Sequence, residues 1–375
     1  MKRSNKPSIL IFSAYVPPHV GGVERYTASL SKELVKFGYQ VIVVTSNYDG
    51  KENTYIDDGV TMIMLPIYSL FKNRYPIIKF NKEEKDLIKK LDDYNIKSII
   101  VNTRFYITSL IGVRYGNKNN IPVYLIEHGS NYVTLDNKFI DFFANRYEDM
   151  LSYYLKNRVD GFYGVSDACG KWLKTFGIEA SGTWYNSIDM GQAVPEKVKH
   201  KGINFLYAGR IIKQKGVYNI LTSFSKLVSI YDNIHLYIAG DGPELDNYKE
   251  NFVNERIHFL GKLDYSKLLE YYSLCDIFLY PPIHPEGLPS SIIEAGMMKC
   301  AVIGTDQGGI KEIIHNNENG FIVGNENTEL ESAMEKLILD SKLRVRFANN
   351  LYDTVKNNFS CEVIAEKILK DIGLK

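Results

Sequence analysis

Hydrophobic and polar positions alternate in blocks along this 375-residue chain. Short β-branched and aromatic runs at residues 8–14, 40–45, 98–102, 123–127 and 161–165 have the length of buried strands, and residues 24–37 carry the period of an amphipathic helix. Strand, helix, strand in that order predicts parallel pairing, because parallel neighbours need a crossover long enough to hold a helix. The pattern pauses over residues 184–201, where Asn186, Ser187, Gly191 and Pro195 interrupt it. It resumes with strand runs at 203–208, 235–239, 257–260, 277–280 and 301–304, separated by helical stretches, and residues 360–374 close the chain as a helix. The expected fold class is α/β, two Rossmann-like doubly wound domains over residues 1–190 and 191–358, followed by a helix over 359–375 that crosses back to the first domain. Doubly wound sheets bind ligands outside the carboxyl ends of their strands, so the loops there are where chemistry is expected.

Length and composition agree with this picture. A single core stops growing near 250–300 residues, so about two domains are expected, and 45% hydrophobic with 24% charged residues is a globular composition. The formal net charge of +1 argues against a nucleic-acid partner. Residues 1–190 hold 24 Lys and Arg against 20 Asp and Glu, and the remainder 21 against 24. The densest basic run, Lys72, Arg74, Lys79, Lys82, Lys85, Lys89 and Lys90, suits contact with anionic lipid or a phosphorylated acceptor, and equally an ordinary solvated helix face. The four cysteines are far apart, as reduced thiols in the cytoplasm would be. The apolar run at 9–16 is short, lacks a small-residue cleavage site and meets Pro17-Pro18, so it reads as a first strand rather than a secretion signal. No apolar run nears the roughly 20 residues of a membrane span; the expected location is cytoplasmic, with membrane contact peripheral and on the inner face.

Chemistry concentrates after two strand runs of the second half. Residues 281–291 follow the 277–280 run and open a helix that passes through Glu294 to about Lys299. Free amides and the positive end of the helix dipole make such a start an anion site, and Gly287 and Ser290 allow a phosphate to approach. Glu294 lies one turn beyond Ser290, within reach of a ribose when a diphosphate sits at the helix start. Glu286 precedes the helix, where a sugar on that diphosphate would lie. The two glutamates alone are equally readable as decoration of a loop and a helix. The loop after 203–208 changes the balance, because Gly209, Arg210, Lys213, Lys215 and Gly216 place cations where a diphosphate beside carboxylates requires them.

Gly209-Arg210 with Lys215, then Glu286 and Glu294 with seven residues between, resembles the retaining GT-B glycosyltransferases of family 4, also called group 1. Further matching stretches run in order along most of the chain. They are Gly21-Gly22-Val23-Glu24-Arg25, Glu127-His128-Gly129, Asn186-Ser187-Ile188-Asp189, Gly240-Asp241-Gly242-Pro243-Glu244, Glu294-Ala295-Gly296 and Thr305-Asp306-Gln307-Gly308-Gly309. The resemblance implies a nucleotide-sugar donor, UDP-sugar ahead of GDP-sugar, bound in a cleft between the domains, and a glycan or lipid-linked acceptor. It implies that Arg210 and Lys215 bind the donor diphosphate and stabilise the leaving group. Glu286 would touch sugar hydroxyls and Glu294 the ribose. Gly21 and Gly22 would lie near the phosphates, and His128 would reach the sugar, although a lone loop histidine is also an ordinary packing residue. Asp241, Gly242, Lys262 and Leu263 would wall the base pocket. The family's second glycine near 288 is replaced, since the chain reads Gly287-Leu288-Pro289, and proline has no amide to donate; Ser290 and Ser291 become the expected donors.

No Asp-x-Asp triplet occurs, so no metal or other cofactor is expected. Retention of anomeric configuration is implied by the resemblance alone. Three rival readings stay open: an epimerase or a phosphorylase of the same architecture, and a non-catalytic binding subunit. An oxidoreductase is disfavoured because no Gly-x-Gly-x-x-Gly follows the first strand. Tyr106, Tyr132, Tyr147, Tyr153 and Tyr154 are candidates for an acceptor groove, or for packing.

Overall fold

A computed structural model describes residues 6–19, 21–68, 75–132, 138–192 and 194–375. Lys72 and Arg74 of the basic run lie outside the described residues. The chain divides into two compact units, residues 1–187 with Cys361–Lys375, and Ile188–Ser360. The division falls after Ser187 and Ser360 rather than after residues 190 and 358. Ile188 pairs with Ser360 in a parallel bridge and its amide donates to the Phe359 carbonyl at 2.9 Å, which draws both into the second unit.

Unit 1 contains β1 (Pro7–Phe12), α1 (Gly22–Lys36), β2 (Gln40–Asn47), β3 (Thr54–Asp57), β4 (Val60–Tyr68), β5 (Ile77–Ile78), α2 (Lys82–Lys89), β6 (Asn95–Asn102), α3 (Ile107–Asn119), β7 (Val123–Glu127), α4 (Lys138–Leu155), β8 (Gly161–Gly164), α5 (Asp167–Lys174) and β9 (Gly182–Thr183). Its sheet runs β3-β4-β2-β1-β6-β7-β8-β9, with β5 on β4. β1, β2, β6, β7 and β8 are parallel, and β1 and β2 are almost wholly buried, as continuous apolar strands covered on both faces must be. Leu10, Phe12, Ile42, Val44, Ile63, Val101 and Leu125 form the centre of its core.

Unit 2 contains β10 (Ile203–Ala208), α6 (Val217–Leu227), β11 (Ile234–Ala239), α7 (Leu245–Asn251), β12 (Ile257–Gly261), α8 (Tyr265–Leu274), β13 (Ile277–Tyr280), α9 (Ser290–Met297), β14 (Ala301–Thr305), α10 (Ile310–Ile313), β15 (Phe321–Val323), α11 (Asn327–Leu339) and α12 (Ser341–Asn358). All of its pairings are parallel, in the order β12-β11-β10-β13-β14-β15. The terminal helix α13 (Cys361–Asp371) belongs to unit 1 and packs on α1.

Both sheets are doubly wound. In unit 2 the connections from β10 move outward through β11 to β12, then cross to β13 and move the other way, so the winding reverses between β10 and β13. In unit 1 it reverses between β1 and β6. Ligand crevices form at such reversals, outside the strand ends.

Candidate functional site

The loops at the β10/β13 reversal are Gly209–Gly216 and the segment 281–289. They are built to fit one another. Gly216 has φ +70°, and a Cβ there would stand 1.9 Å from the Pro281 carbonyl oxygen, so only glycine lets the two loops meet. The Ile283 amide donates to the Gln214 carbonyl at 2.9 Å. From the β14 side Gly308, at φ +59°, lays its backbone on Glu286, where a Cβ would come within 1.8 Å of the Glu286 carbonyl oxygen. The Gly309 amide donates to the carbonyls of Glu286 and Gly287. Glu286 is thereby fixed by its backbone rather than left on a free loop.

Against this scaffold the Lys215 ammonium lies 2.7 Å from Glu286 Oε1 and donates to the Tyr280 hydroxyl at 2.9 Å. The same phenol engages Glu286 and Ser291. Burial, then the nearby Glu286 carboxylate, hold the Tyr280 phenol far above its ordinary pKa, so it remains a neutral hydrogen-bonding group. Tyr280 was not anticipated from the sequence, although it ends the strand that feeds the loop. Arg210 is exposed; its carbonyl accepts from the buried Tyr207 hydroxyl at 2.8 Å, which fixes the turn. Gly209 packs its backbone beside that same hydroxyl.

The other expected residues of unit 2 fall as follows. Ser290 and Ser291 form the first turn of α9 behind an extended Pro289 cap, and Leu288 just before them is buried. Glu294 is buried one turn on, where the Tyr272 hydroxyl donates to its carboxylate at 3.2 Å. Asp241 turns its carboxylate back to the Gly242 amide at 2.8 Å, and its carbonyl accepts from the Ile211 amide at 2.9 Å, tying this turn to the Arg210 loop. Lys262 and Leu263 follow β12 at the sheet edge, two strands from β10, farther from the reversal than the other candidates.

In unit 1 the candidates gather at the β1/β6 reversal. Gly21 is the extended cap of α1 and Gly22 its first residue. The Glu24 carboxylate folds over Gly21, where a Cβ would stand 2.1 Å from it, and its Oε1 lies 2.8 Å from His19 Nδ1, placed to accept from that ring nitrogen. Sequence reading named Glu24 without seeing this dyad, whose ring stacks on Tyr15. His128 Nε2 lies 3.2 Å from Asn102 Oδ1, and its ring meets Tyr26 of α1 edge-on. Burial depresses the His128 pKa from 6.5 to about 3, partly opposed by a hydrogen bond with Asn186, so the imidazole is neutral.

Behind His128 lies a buried network that the sequence did not reveal. Arg104, on the loop after β6, bonds Glu127 at 2.5 Å, Glu148 of α4 at 2.8 Å and Ser152 at 2.8 Å, and its guanidinium lies 4.2 Å from the centre of the Phe176 ring. Glu127 in turn accepts from the Gly129 amide at 2.9 Å, so the network clamps both ends of the loop that carries His128. The five tyrosines do not line one groove. Tyr106 and Tyr147 cluster on Tyr75, Tyr132 packs on Trp172, Tyr154 takes Arg158 on its face, and Tyr153 is exposed.

A model of family 4 glycosyltransferases matches residues 20–192, and one of group 1 glycosyl transferases matches 192–354. The chain belongs to the family 4, group 1 glycosyltransferases. Among relatives of this family, an uncharacterized glycosyltransferase of Methanocaldococcus jannaschii is 27% identical over 95% of both chains. The capsular polysaccharide biosynthesis glycosyltransferase CapM of Staphylococcus aureus is 28% identical over 50% of this chain and 52% of its own. The crystal structure of Anabaena HepE in complex with UDP-glucose superposes with a TM-score of 0.74, at 16% identity, over 98% of this chain and 99% of that one. The architecture is thus GT-B, the fold these glycosyltransferases share. Among the described residues no helix is long and apolar enough to cross a membrane.

Proposed function

We propose that this glycosyltransferase moves a hexose from a nucleotide-sugar, a UDP-sugar ahead of a GDP-sugar, to a glycan or lipid-linked acceptor with retention of configuration, in cell-surface polysaccharide or glycolipid synthesis. The observation that carries the reading is the Lys215–Glu286–Tyr280 constellation at the β10/β13 reversal, beside the start of α9. The bond from the anomeric carbon to the phosphate oxygen breaks and that carbon bonds the acceptor oxygen, whose proton passes to the departing phosphate. Negative charge grows on the nucleoside diphosphate. Lys215, Arg210 and the first amides of α9, at Ser290 and Ser291, act as preorganised partners for that charge. Glu286, held by Gly308, is placed to accept hydrogen bonds from the sugar, and Glu294 from the ribose. His128, neutral and with Nε2 on Asn102, has Nδ1 left for the sugar. Gly21 and Gly22 border the phosphates, and Asp241, Gly242, Lys262 and Leu263 the base. The cations supply the charge compensation that a metal ion gives elsewhere, so turnover needs no metal. The UDP-glucose bound to HepE and the capsular role of CapM support the choice of donor and setting.

A melting-temperature screen against UDP, GDP, ADP and their sugar conjugates in EDTA tests this. A ligand at 100 times its dissociation constant stabilises by about 2.7 kcal/mol. The expected result is a rise with one nucleotide family that Arg210→Ala abolishes; no rise without added metal would overturn the reading.

A further inference from the structure

Helix α4 is apolar on its outside as well as its inside. Residues 139, 142, 143, 146, 150 and 153 recur at helical spacing on one face, a stripe about 21 Å long at 1.5 Å per residue. On that stripe Phe139 is 73% exposed, Phe142 57%, Phe143 56%, Met150 60% and Tyr153 82%. Ile140 adjoins them, while every other described helix carries at most one exposed large hydrophobic residue. Phe143 touches both Phe139 and Phe142 edge-on, so the rings form one patch. Contiguous exposed apolar surface of this kind marks an interaction site.

Charge identifies the occupant. Arg146 is the one charged residue in the stripe, its guanidinium 5.7 Å from the Phe142 ring. Of the three acids of the helix, Asp141 is half-buried in the first turn, Glu148 is buried on Arg104, and Asp149 is bonded by Arg146 and by the Tyr132 hydroxyl, which leaves Arg146 as the charge on the exposed stripe. Beyond its C-terminal end Arg158 lies on the Tyr154 ring, which also faces Arg114 of α3. Arg114, with Lys118, Lys85 and Lys89, lines a groove between α2 and α3 edged by the exposed Phe80, four cations against the two acids Glu84 and Asp92, of which Glu84 is buried. Aromatic and aliphatic side chains on one helix face, flanked by arginine and lysine, have the chemistry of an element lying in the headgroup layer of an anionic bilayer.

We propose that α4 is a membrane-docking helix, which inserts Phe139, Phe142, Phe143 and Met150 among the acyl chains of an anionic lipid surface. Its inner face stays attached, because Leu151, Leu155 and the Glu148–Arg104 pair anchor it to unit 1. The inference builds on the reading of a lipid-linked acceptor, and gives it a surface.

The test is co-sedimentation of the full chain with phosphatidylcholine vesicles, with and without phosphatidylglycerol, comparing wild type, the double variant Phe142→Ser with Phe143→Ser, and Arg146→Gln. Wild type should pellet with the phosphatidylglycerol vesicles. The double variant should lose roughly a hundredfold in partitioning, since each phenyl ring contributes about tenfold, and Arg146→Gln should lose several-fold in the anionic vesicles only. Melting temperature and the shift produced by UDP should be unchanged in both variants. Equal partitioning of wild type and double variant would overturn the proposal, even if the UDP shift persists. So would a wild-type dimer in sedimentation velocity that the double variant converts to monomer, which would assign the stripe to a second copy. Loss of the UDP shift in wild type, with vesicle binding kept, would count against the donor reading and leave the docking surface standing.

Discussion

At the scale of single residues, Lys215 and Tyr280 separate charge from positioning. Lys215→Ala removes the cation that we propose faces the leaving diphosphate, and kcat should fall roughly 10²- to 10³-fold in a transfer assay. Tyr280→Phe keeps the ring under the ammonium and removes only the hydroxyl 2.9 Å away. A net hydrogen bond is worth about 1 kcal/mol, so kcat should fall roughly fivefold with the donor KM little changed. An unchanged kcat would show that Glu286 alone orients Lys215. His128 gives a pH signature. Its folded pKa, about 3, lies below the ordinary 6.5, so the unfolded chain binds the extra proton first as pH falls. Its contribution to stability is complete above 6.5 and declines as pH drops from there toward 3. His128→Asn should flatten the fall of melting temperature over that window; an identical profile would place the imidazole in solvent.

At the scale of elements, strands at 123–127, 203–208 and 277–280 and the helix opening at Ser290 were legible because buried parallel strands are unbroken apolar runs bounded by glycine and proline. The β3–β4 hairpin was not read, although Asp58-Gly59, both at positive φ, is a turn signal between two apolar runs; Pro66 within β4 masks that strand. Candidate residues next to glycines at strand ends were visible as motif. Partners that meet only through the fold, such as Tyr280 with Lys215 and Arg104 with two glutamates, carry no local spacing to betray them. That last cluster has a sharp expectation. Arg104→Met would leave Glu127 and Glu148 buried without their cation and should cost about 3–5 kcal/mol, read as a lowered midpoint in urea. Arg104→Lys should recover part of it, and a variant as stable as wild type would mean that water reaches the carboxylates. Gly216→Ala belongs to the same scale: the positive φ alone costs about 1–3 kcal/mol, and its Cβ would push the Lys215 loop off Pro281. UDP binding should weaken together with stability.

At the scale of the whole molecule, the chain order and the folding units disagree, and the disagreement can be tested. Unit 1 is built from both ends of the chain, whereas unit 2 is one continuous stretch, Ile188–Ser360. Helix α13 buries Ile364, Ala365, Ile368 and Leu369, and it packs on α1, whose Tyr26, Leu30 and Leu34 are buried. Polar contacts hold it as well: the Trp184 indole donates to Asp371 at 2.8 Å, and the Tyr39 hydroxyl to the Leu374 carbonyl at 2.5 Å. Four buried aliphatic side chains at up to about 1.5–3 kcal/mol each for the larger ones are comparable with the whole stability of a domain. Deleting Cys361–Lys375 should therefore unfold unit 1, which precedes the cut by more than 170 residues, and spare unit 2. Limited proteolysis of the truncated chain should degrade residues 1–187 and leave a resistant fragment that starts near Ile188. That fragment retains Arg210, Lys215, Glu286 and Glu294, so it should still bind UDP, without transferring sugar. A truncated chain as resistant throughout as the full one would show that α1 and its sheet bury their own core, and that the terminal helix merely rests on them.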